Sequence, residues 1–506
     1  MDDGQPGPGA SRPRVDLVAS TGDITASTTS GESGAPSSAP PPGNAAGDVR
    51  GYFETAQWTA DGTTIVTYSS AHEVSAYVVP EDLLAPRRPA PLTLSPQATV
   101  QLPEPSNALA PAPYFSLAEP YTNQVLVSAR DHPIQLFYLT PSSTSAPTST
   151  SPSLSPVAAY PFTKARSETF LNATSLLWPY ALGAGGGTAG SHFVAGSRNL
   201  LAKFDVSRPG ASSEPVLRIK TIPSERHLSK GGGVGMRGVV SALGAQPSGV
   251  GSGAGSGAAA GTGLVAAGTW TRWVGLYDFG AAGECVATWN VAAAASSEVQ
   301  GDGEGDALGN GHAAARDGIG GSGITQTIWS PCGRYLVIGE RRSRGLLVYD
   351  VRVTGRLLGC LVGRDGTADV NQRVLCDVFP GGGEGSESGF EVWSGTAAHD
   401  GGAVQVWEGV GSRVGAHPPS WGWRAHDDGA STVGSTCLHP SGSVVATCAG
   451  SWAFPNDGED EDGDGMAWMR RSNRESSLKL WSLVSDDEND DNGCDGPQEH
   501  ASGEEP

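Results

Sequence analysis

Gly321 to Val351 reads GSGITQTIWSPCGRYLVIGERRSRGLLVYDV, and the spacing of its apolar residues and turns decides the fold. Apolar and polar residues alternate from Ile324 to Trp329, and Ser330-Pro331-Cys332-Gly333 supplies turn chemistry. Tyr335 to Gly339 then runs apolar, a basic turn follows, and Leu346 to Val351 is apolar again. Period-two alternation broken by Gly, Pro and Ser predicts three short antiparallel strands. Such a sheet has two faces to cover and cannot cover them alone, so it requires neighbours of its own kind.

The chain supplies them. A strand ending in an aromatic or His with Pro or Thr, a turn, a small-residue strand, a polar turn and a strand ending in an aromatic recur in order. The marks are Trp58-Thr59 with Tyr77, Glu119-Pro120 with Phe137, Trp178-Pro179 with Phe204-Asp205, and Gln246-Pro247 with Tyr277-Asp278. Trp329-Ser330-Pro331 with Tyr349-Asp350, Phe379-Pro380 with Trp407-Glu408, and His439-Pro440 with Trp481-Ser482 complete the set. Seven copies predict an all-β fold, a single seven-bladed β-propeller of WD-repeat type over residues 52–483, with disordered termini and long low-complexity insertions. Only three copies keep Asp after the closing aromatic. The spacers are Pro-rich at 80–113, Ser/Thr/Pro-rich at 140–159, Gly/Ala/Ser-rich at 247–262 and polar at 291–320, and they fall between strands, where long loops cost little. Trp58, Tyr77, Trp178, Phe204, Tyr277, Trp329, Tyr349, Trp407 and Trp481 are expected to pack between blades.

The net charge of −21 is local. Residues 1–50 carry −3, 457–464 carry −6, 484–506 carry −9, and Asp302, Glu304 and Asp306 carry −3, which accounts for all of it. The body of the ring is therefore formally neutral. Residues 1–50 and the acidic 484–506 read as disordered, solvating segments. Within the first, Arg14 to Ser20 has strand character, and Val15 to Ala19 is a candidate for the outer strand that the last copy lacks; the alternatives are Tyr52-Phe53 or no strand at all. The seven cysteines show no CxxC spacing, which points to a reducing compartment without disulfides or structural zinc. No apolar run of 18 residues and no signal-peptide pattern occurs, so neither secretion nor membrane insertion is expected.

Several spellings go beyond the repeat. Ser128-Ala129-Arg130-Asp131-His132-Pro133-Ile134-Gln135-Leu136 is one, and Arg198-Asn199-Leu200-Leu201-Ala202-Lys203-Phe204 followed by Ser207-Arg208-Pro209-Gly210 is another. Asn371-Gln372-Arg373-Val374 and Leu438-His439-Pro440 through Ala446-Thr447 to Phe454-Pro455 follow in the same order. In these the chain resembles the telomerase Cajal body protein family from about 52 to 483. The resemblance implies a nuclear propeller that binds small Cajal-body RNAs and telomerase RNA and directs them to Cajal bodies. It equally implies kinship with a divergent branch linked to pre-mRNA splicing. Partners would be a small nuclear or Cajal-body RNA and ribonucleoprotein or splicing proteins, with a monomer and no membrane.

Other motifs carry less. Gly185 to Gly190 matches GxGxxG, but a strand rather than a helix follows it, which removes the helix N-terminus a phosphate would need. Asp460, Asp462 and Asp464 begin a calcium-loop pattern whose bidentate acid would fall at Arg471. Cys437 and His439 alternate on one strand without a second pair, so His439 reads as a core position. The sequon at Asn172 has no use without secretion. No catalytic constellation can be assembled on one face and no cofactor is expected. The turns between the second and third strand of each copy are more telling. They hold His72, Arg130 with His132, Arg198, Arg272, Arg341 with Arg342 and Arg344, His399, and Arg470 with Arg471 and Arg474. All such turns leave a propeller on one face, and Arg373 should reach it from the connection before copy six. Trp270, Trp452 and Phe454 lie in or beside them. Arginine for phosphate and exposed rings for unstacked bases form the pairing that single-stranded RNA asks for. An acidic peptide held by the same turns, on a pure protein-interaction scaffold, is the rival reading.

Overall fold

The computed structural model describes residues 12–23, 51–85, 90–139, 154–182, 189–210, 213–223, 235–247, 263–297, 318–381, 389–397, 400–426, 431–450 and 475–484. Their strands form seven mainly antiparallel sheets arranged as the blades of a propeller. Blade 5 contains the opening stretch: Ile324–Trp329, Tyr335–Glu340, Gly345–Asp350 and Leu357–Val362, paired in that order. Its register sets Leu336 opposite Tyr349 and Val337 opposite Val348, and the middle strands are buried nearly throughout because both faces meet a neighbouring blade.

Two spacers hold strands that proline conceals in the sequence. The Pro-rich stretch 80–113 contains Ala98–Gln101, the outer strand of blade 1, and Ser106–Pro111, the inner strand of blade 2. Glu119-Pro120, which the repeat pattern puts at the end of that inner strand, instead leads into a short 3-10 turn, Pro120–Thr122. Proline is tolerated at Pro111 because its strand is the edge of the sheet. Ala158–Tyr160 closes the outer edge of blade 2.

Blade 7 joins the two ends of the chain. Val433–Leu438, Val444–Ala449 and Leu478–Val484 come from the C-terminal side, and Arg14–Ser20 pairs antiparallel with the last of them, Leu17 opposite Trp481. Tyr52 and Phe53 stand at the start of blade 1's inner strand. Leu92–Thr93 adds a parallel fifth strand outside Arg14–Ser20, and Gly415–His417 does the same for blade 5.

Every seam between blades carries a polar contact. Ser106 N–H donates to Tyr68 Oη (2.9 Å) from blade 2 to blade 1, and Ser128 Oγ to Ala173 O (3.0 Å) between blades 2 and 3. Thr174 Oγ1 donates to Val240 O (2.6 Å) between blades 3 and 4, and Arg272 pairs with Glu340 between blades 4 and 5. Gln326 clasps Cys376 through both backbone atoms (2.6 and 2.8 Å), Leu438 N–H donates to Asp377 Oδ2 (2.8 Å), and Ser435 Oγ meets Ala56 O (3.3 Å), closing the ring from blade 7 to blade 1.

The opposite face repeats one device. A left-handed glycine in the first turn of a blade receives a side chain from the blade before it: Gly62 beside His439, Gly190 beside Tyr114, and Gly442 beside Phe379. His439 also lies edge-on to Trp58 at 4.8 Å. It is thus a clasp between blades 7 and 1, and no group of three metal-ligating side chains occurs among the described residues.

Of the aromatics expected to pack between blades, Tyr77, Trp178, Phe204, Tyr277, Trp329, Tyr349, Trp407 and Trp481 are buried, and Trp58 is half-buried. Trp407 Nε1 donates across a seam to Val362 O (3.1 Å), and Trp329 Nε1 to Gly244 O (3.0 Å). In blade 7, Trp481 Nε1 donates to Thr447 Oγ1 (2.9 Å), which lies 3.2 Å from His426 Nε2, while His426 Nδ1 lies 2.9 Å from Glu475. Ser477 Oγ and Lys479 Nζ converge on the same carboxylate (2.6 and 2.7 Å). Burial alone would raise the pKa of Glu475, but the hydrogen bond and charge of His426, with the hydrogen bonds of Lys479 and Ser477, hold it well below the ordinary value.

Candidate nucleic-acid interface

The inner strands of the blades surround a central channel of about 710 Å³, lined in part by Thr55, Ser175, Ser241 and Thr325. At one mouth stand Tyr52, Glu54, Tyr68, Trp270, Arg341 and Arg373. Trp270 and Arg341 belong to turns between second and third strands, so this mouth opens on the face those turns build.

These turns are tight, and His72, Asp131, Asn199, Arg272 and Arg342 each take a left-handed backbone in them (φ 55 to 65°). A left-handed residue reverses the chain in a few positions and keeps each turn short, so its side chains stay close to the rim. Arg341 N–H donates to Gly323 O (2.8 Å), and Gly323 packs against the backbone of Trp270, which sets the Trp270 and Arg341 turns side by side.

The arginines then divide by direction. Arg130, Arg198, Arg342 and Arg344 are exposed, around the rim. Arg341 and Arg373 are half-buried and turn inward, Arg373 Nη1 donating to Asn107 O (3.0 Å) in blade 2. The segment that carries Arg373 is tied down across the mouth: Gln372 Nε2 donates to Gly450 O (2.8 Å), and Leu375 N–H to Gly434 O (2.9 Å), both in blade 7.

Burial pushes both inward guanidiniums below the ordinary arginine value, and in Arg373 the like charge of Arg341 adds to it. Glu54 is their shared counter-charge, and burial raises its pKa against the pull of Arg373 and Arg341. Two cations therefore face one carboxylate that is itself reluctant to ionise. Such a cluster favours an incoming anion, which would relieve the repulsion and replace lost hydration.

Arg272 is spent elsewhere. Its Nε and Nη2 form a bidentate pair with Glu340 (2.7 Å each), Nη2 also donates to Gly320 O (3.0 Å), and the Glu340 side chain is only 1% exposed. Trp270, Arg341 and Arg373 are thus brought together, Arg130, Arg198, Arg342 and Arg344 ring them, and Arg272 holds blade 4 to blade 5. Trp452, Arg470 and Arg471 lie outside the described residues, as do His399, Phe454 and Arg474. Glu54, Tyr68 and Tyr52 escaped the sequence reading. Glu54 and Tyr68 lie in strands and Tyr52 directly precedes one, where only the geometry of the ring shows which residues face the channel.

No family model matches the chain. Comparison with curated proteins finds bovine (Bos taurus) Telomerase Cajal body protein 1, 27% identical over 299 residues, covering 58% of this chain and 43% of that protein. The human (Homo sapiens) protein of the same name is 26% identical over 298 residues, covering 58% and 42%. Guanine nucleotide-binding protein negative regulator 1 of Schizosaccharomyces pombe is 22% identical over 343 residues, covering 66% and 69%. The chain spans less than half the length of the telomerase Cajal body proteins it matches. The resemblance to that family, read above from the residues, is borne out by these relatives.

Proposed function

We propose that the protein is a nuclear RNA-binding adaptor that holds a small Cajal-body-type RNA, or telomerase RNA, on the basic face of its propeller and directs its localisation or ribonucleoprotein assembly. The observation that carries this reading is the convergence of Arg341, Arg373 and Trp270 at the channel mouth, ringed by exposed Arg130, Arg198, Arg342 and Arg344. Cations for phosphate surround a ring available for a base, in a chain whose net charge of −21 would otherwise repel nucleic acid. Relatives named Telomerase Cajal body protein 1 support a role connected with telomerase and Cajal bodies. The rest of the ring is left for protein partners, and no chemistry is assigned to it.

A second reading is favoured by the Schizosaccharomyces pombe relative, which is matched over 69% of its own length and is named as a regulator of a protein. On that reading the chain is a WD-repeat scaffold that meets its partners, splicing proteins among them, without touching RNA. Affinity purification with and without ribonuclease, combined with ultraviolet crosslinking, separates the two. The adaptor yields crosslinked small nuclear RNA and loses partners on ribonuclease treatment. Partners that all survive the nuclease, with no RNA crosslinked, leave the scaffold.

A further inference from the structure

We infer that the channel mouth is a pocket for one unpaired nucleotide of the bound RNA, its phosphate between Arg341 and Arg373 and its base against Trp270. This rests on the RNA-binding reading above and adds to it a division of labour. The exposed arginines hold the backbone of any RNA, and the mouth selects an RNA that can extrude a nucleotide.

Four features separate the mouth from the rim. The first is size, since the channel of about 710 Å³ is far larger than a lone phosphate requires. The second is charge: Arg341 and Arg373 are desolvated and repel one another, whereas Arg342 and Arg344, beside Arg341, are exposed, with Arg342 Nε donating to Ala368 O (3.4 Å). A phosphate taken up between two half-buried guanidiniums is held in a less watery surrounding than one on the surface.

The third is the ring. Trp270 remains 45% exposed while standing on a backbone fixed by Gly323 and by its own N–H bond to Val239 O (3.1 Å), so its face is positioned without being covered. The fourth is a neutral donor. Tyr68 is 4% exposed, its Oη accepts from Ser106 N–H, and burial pushes its pKa up to about 12, so it keeps its proton. A protonated phenol, two guanidiniums and an indole offer a nucleotide a hydrogen-bond donor, two charges and a stacking surface together. A double-stranded RNA cannot enter such a mouth, because its bases are paired and its phosphates lie on the outside.

The test uses the full chain and a set of hairpin RNAs in which 2-aminopurine replaces each loop base in turn, with Trp270→Ala, Arg341→Ala and Arg130→Ala as variants. One loop position should change its fluorescence on binding. That signal should vanish in Trp270→Ala and Arg341→Ala and persist in Arg130→Ala. Trp270→Ala should weaken binding to the hairpin roughly 5- to 150-fold while leaving the salt dependence unchanged, and Arg130→Ala should lower the salt slope for hairpin and duplex alike. Equal signals at every position, or a signal and affinity unmoved by Trp270→Ala, would remove the pocket and leave the basic rim as the RNA site. If the wild-type protein binds no hairpin, the RNA reading and the pocket fall together. If a free nucleoside monophosphate displaces the signal at the concentration at which the hairpin does, the mouth is a small-molecule site and the inference is wrong.

Discussion

At the scale of single residues, neighbouring arginines do different work. Arg341 turns into the channel and Arg342, next to it, turns out, because a short turn sends successive side chains to opposite sides. Arg272 looked from its spacing like another rim residue, yet it neutralises Glu340, 68 residues further along. The basic turn was legible and its partner was not, since only the closed ring brings blade 4 against blade 5. Arg272→Ala should therefore destabilise the fold by about 3–5 kcal/mol, because it strands a buried carboxylate, and Arg272→Ala with Glu340→Gln should recover part of the loss in urea unfolding. A single variant as stable as wild type would contradict this. Trp407→Ala should cost about 3–5 kcal/mol through the cavity and the lost bond to Val362. Gly62→Ala should be destabilising by roughly 1–2 kcal/mol or more, since the left-handed backbone disfavours a Cβ and that Cβ would strike His439. Thermal unfolding of both variants provides the measurement.

At the scale of elements, blade 7 and its seams govern the response to acid. Glu475 has its pKa depressed in the fold, so its contribution is present above its ordinary value of 4.5 and is lost as the pH falls below it. Asp377, at the seam between blades 6 and 7, runs the other way. Burial lifts it to about 6 against its backbone hydrogen bonds from Leu438 and Val378, so its contribution is greatest below 3.8 and declines as the pH rises through 6. Glu475→Gln should accordingly lose stability at pH 7 and approach wild type in acid, whereas Asp377→Asn should gain relative to wild type between pH 4 and pH 7. Chemical unfolding across that range checks both slopes.

The strand Arg14–Ser20 belongs to the same scale. It covers the edge of Leu478–Val484 and buries Ala19 in the core shared by blades 1 and 7. Removing residues 1–23 should lower the thermal midpoint, and a peptide of residues 12–23 added in trans should restore part of it; an unchanged midpoint would show that the strand is dispensable. The repeat was easiest to read where strands alternate cleanly, as in blade 5. It was hardest where short strands stand among prolines, as at Ala98–Gln101 and Ser106–Pro111. The network of Trp481, Thr447, His426 and Glu475 was not legible, because its members are scattered over some 55 positions with the acidic stretch 457–464 among them.

For the whole molecule, the ring presents a basic mouth within an acidic chain, and the acidity is concentrated at 457–464 and 484–506. Deleting 485–506 should leave the ring folded and tighten RNA binding slightly at low salt, by removing a competing polyanion. The central claim, that the face built by the second turns binds RNA through its arginines, is tested most directly by a salt titration of affinity for a hairpin small nuclear RNA. Wild type is compared with Arg342→Ala/Arg344→Ala, a change at two exposed positions that should not disturb the fold. Each phosphate contact contributes about 0.7 to the slope of log affinity against log salt, so the double variant should bind more weakly with a slope lower by roughly 1.4. Equal affinity and equal slope in the two proteins, or no binding above background in either, would contradict the account.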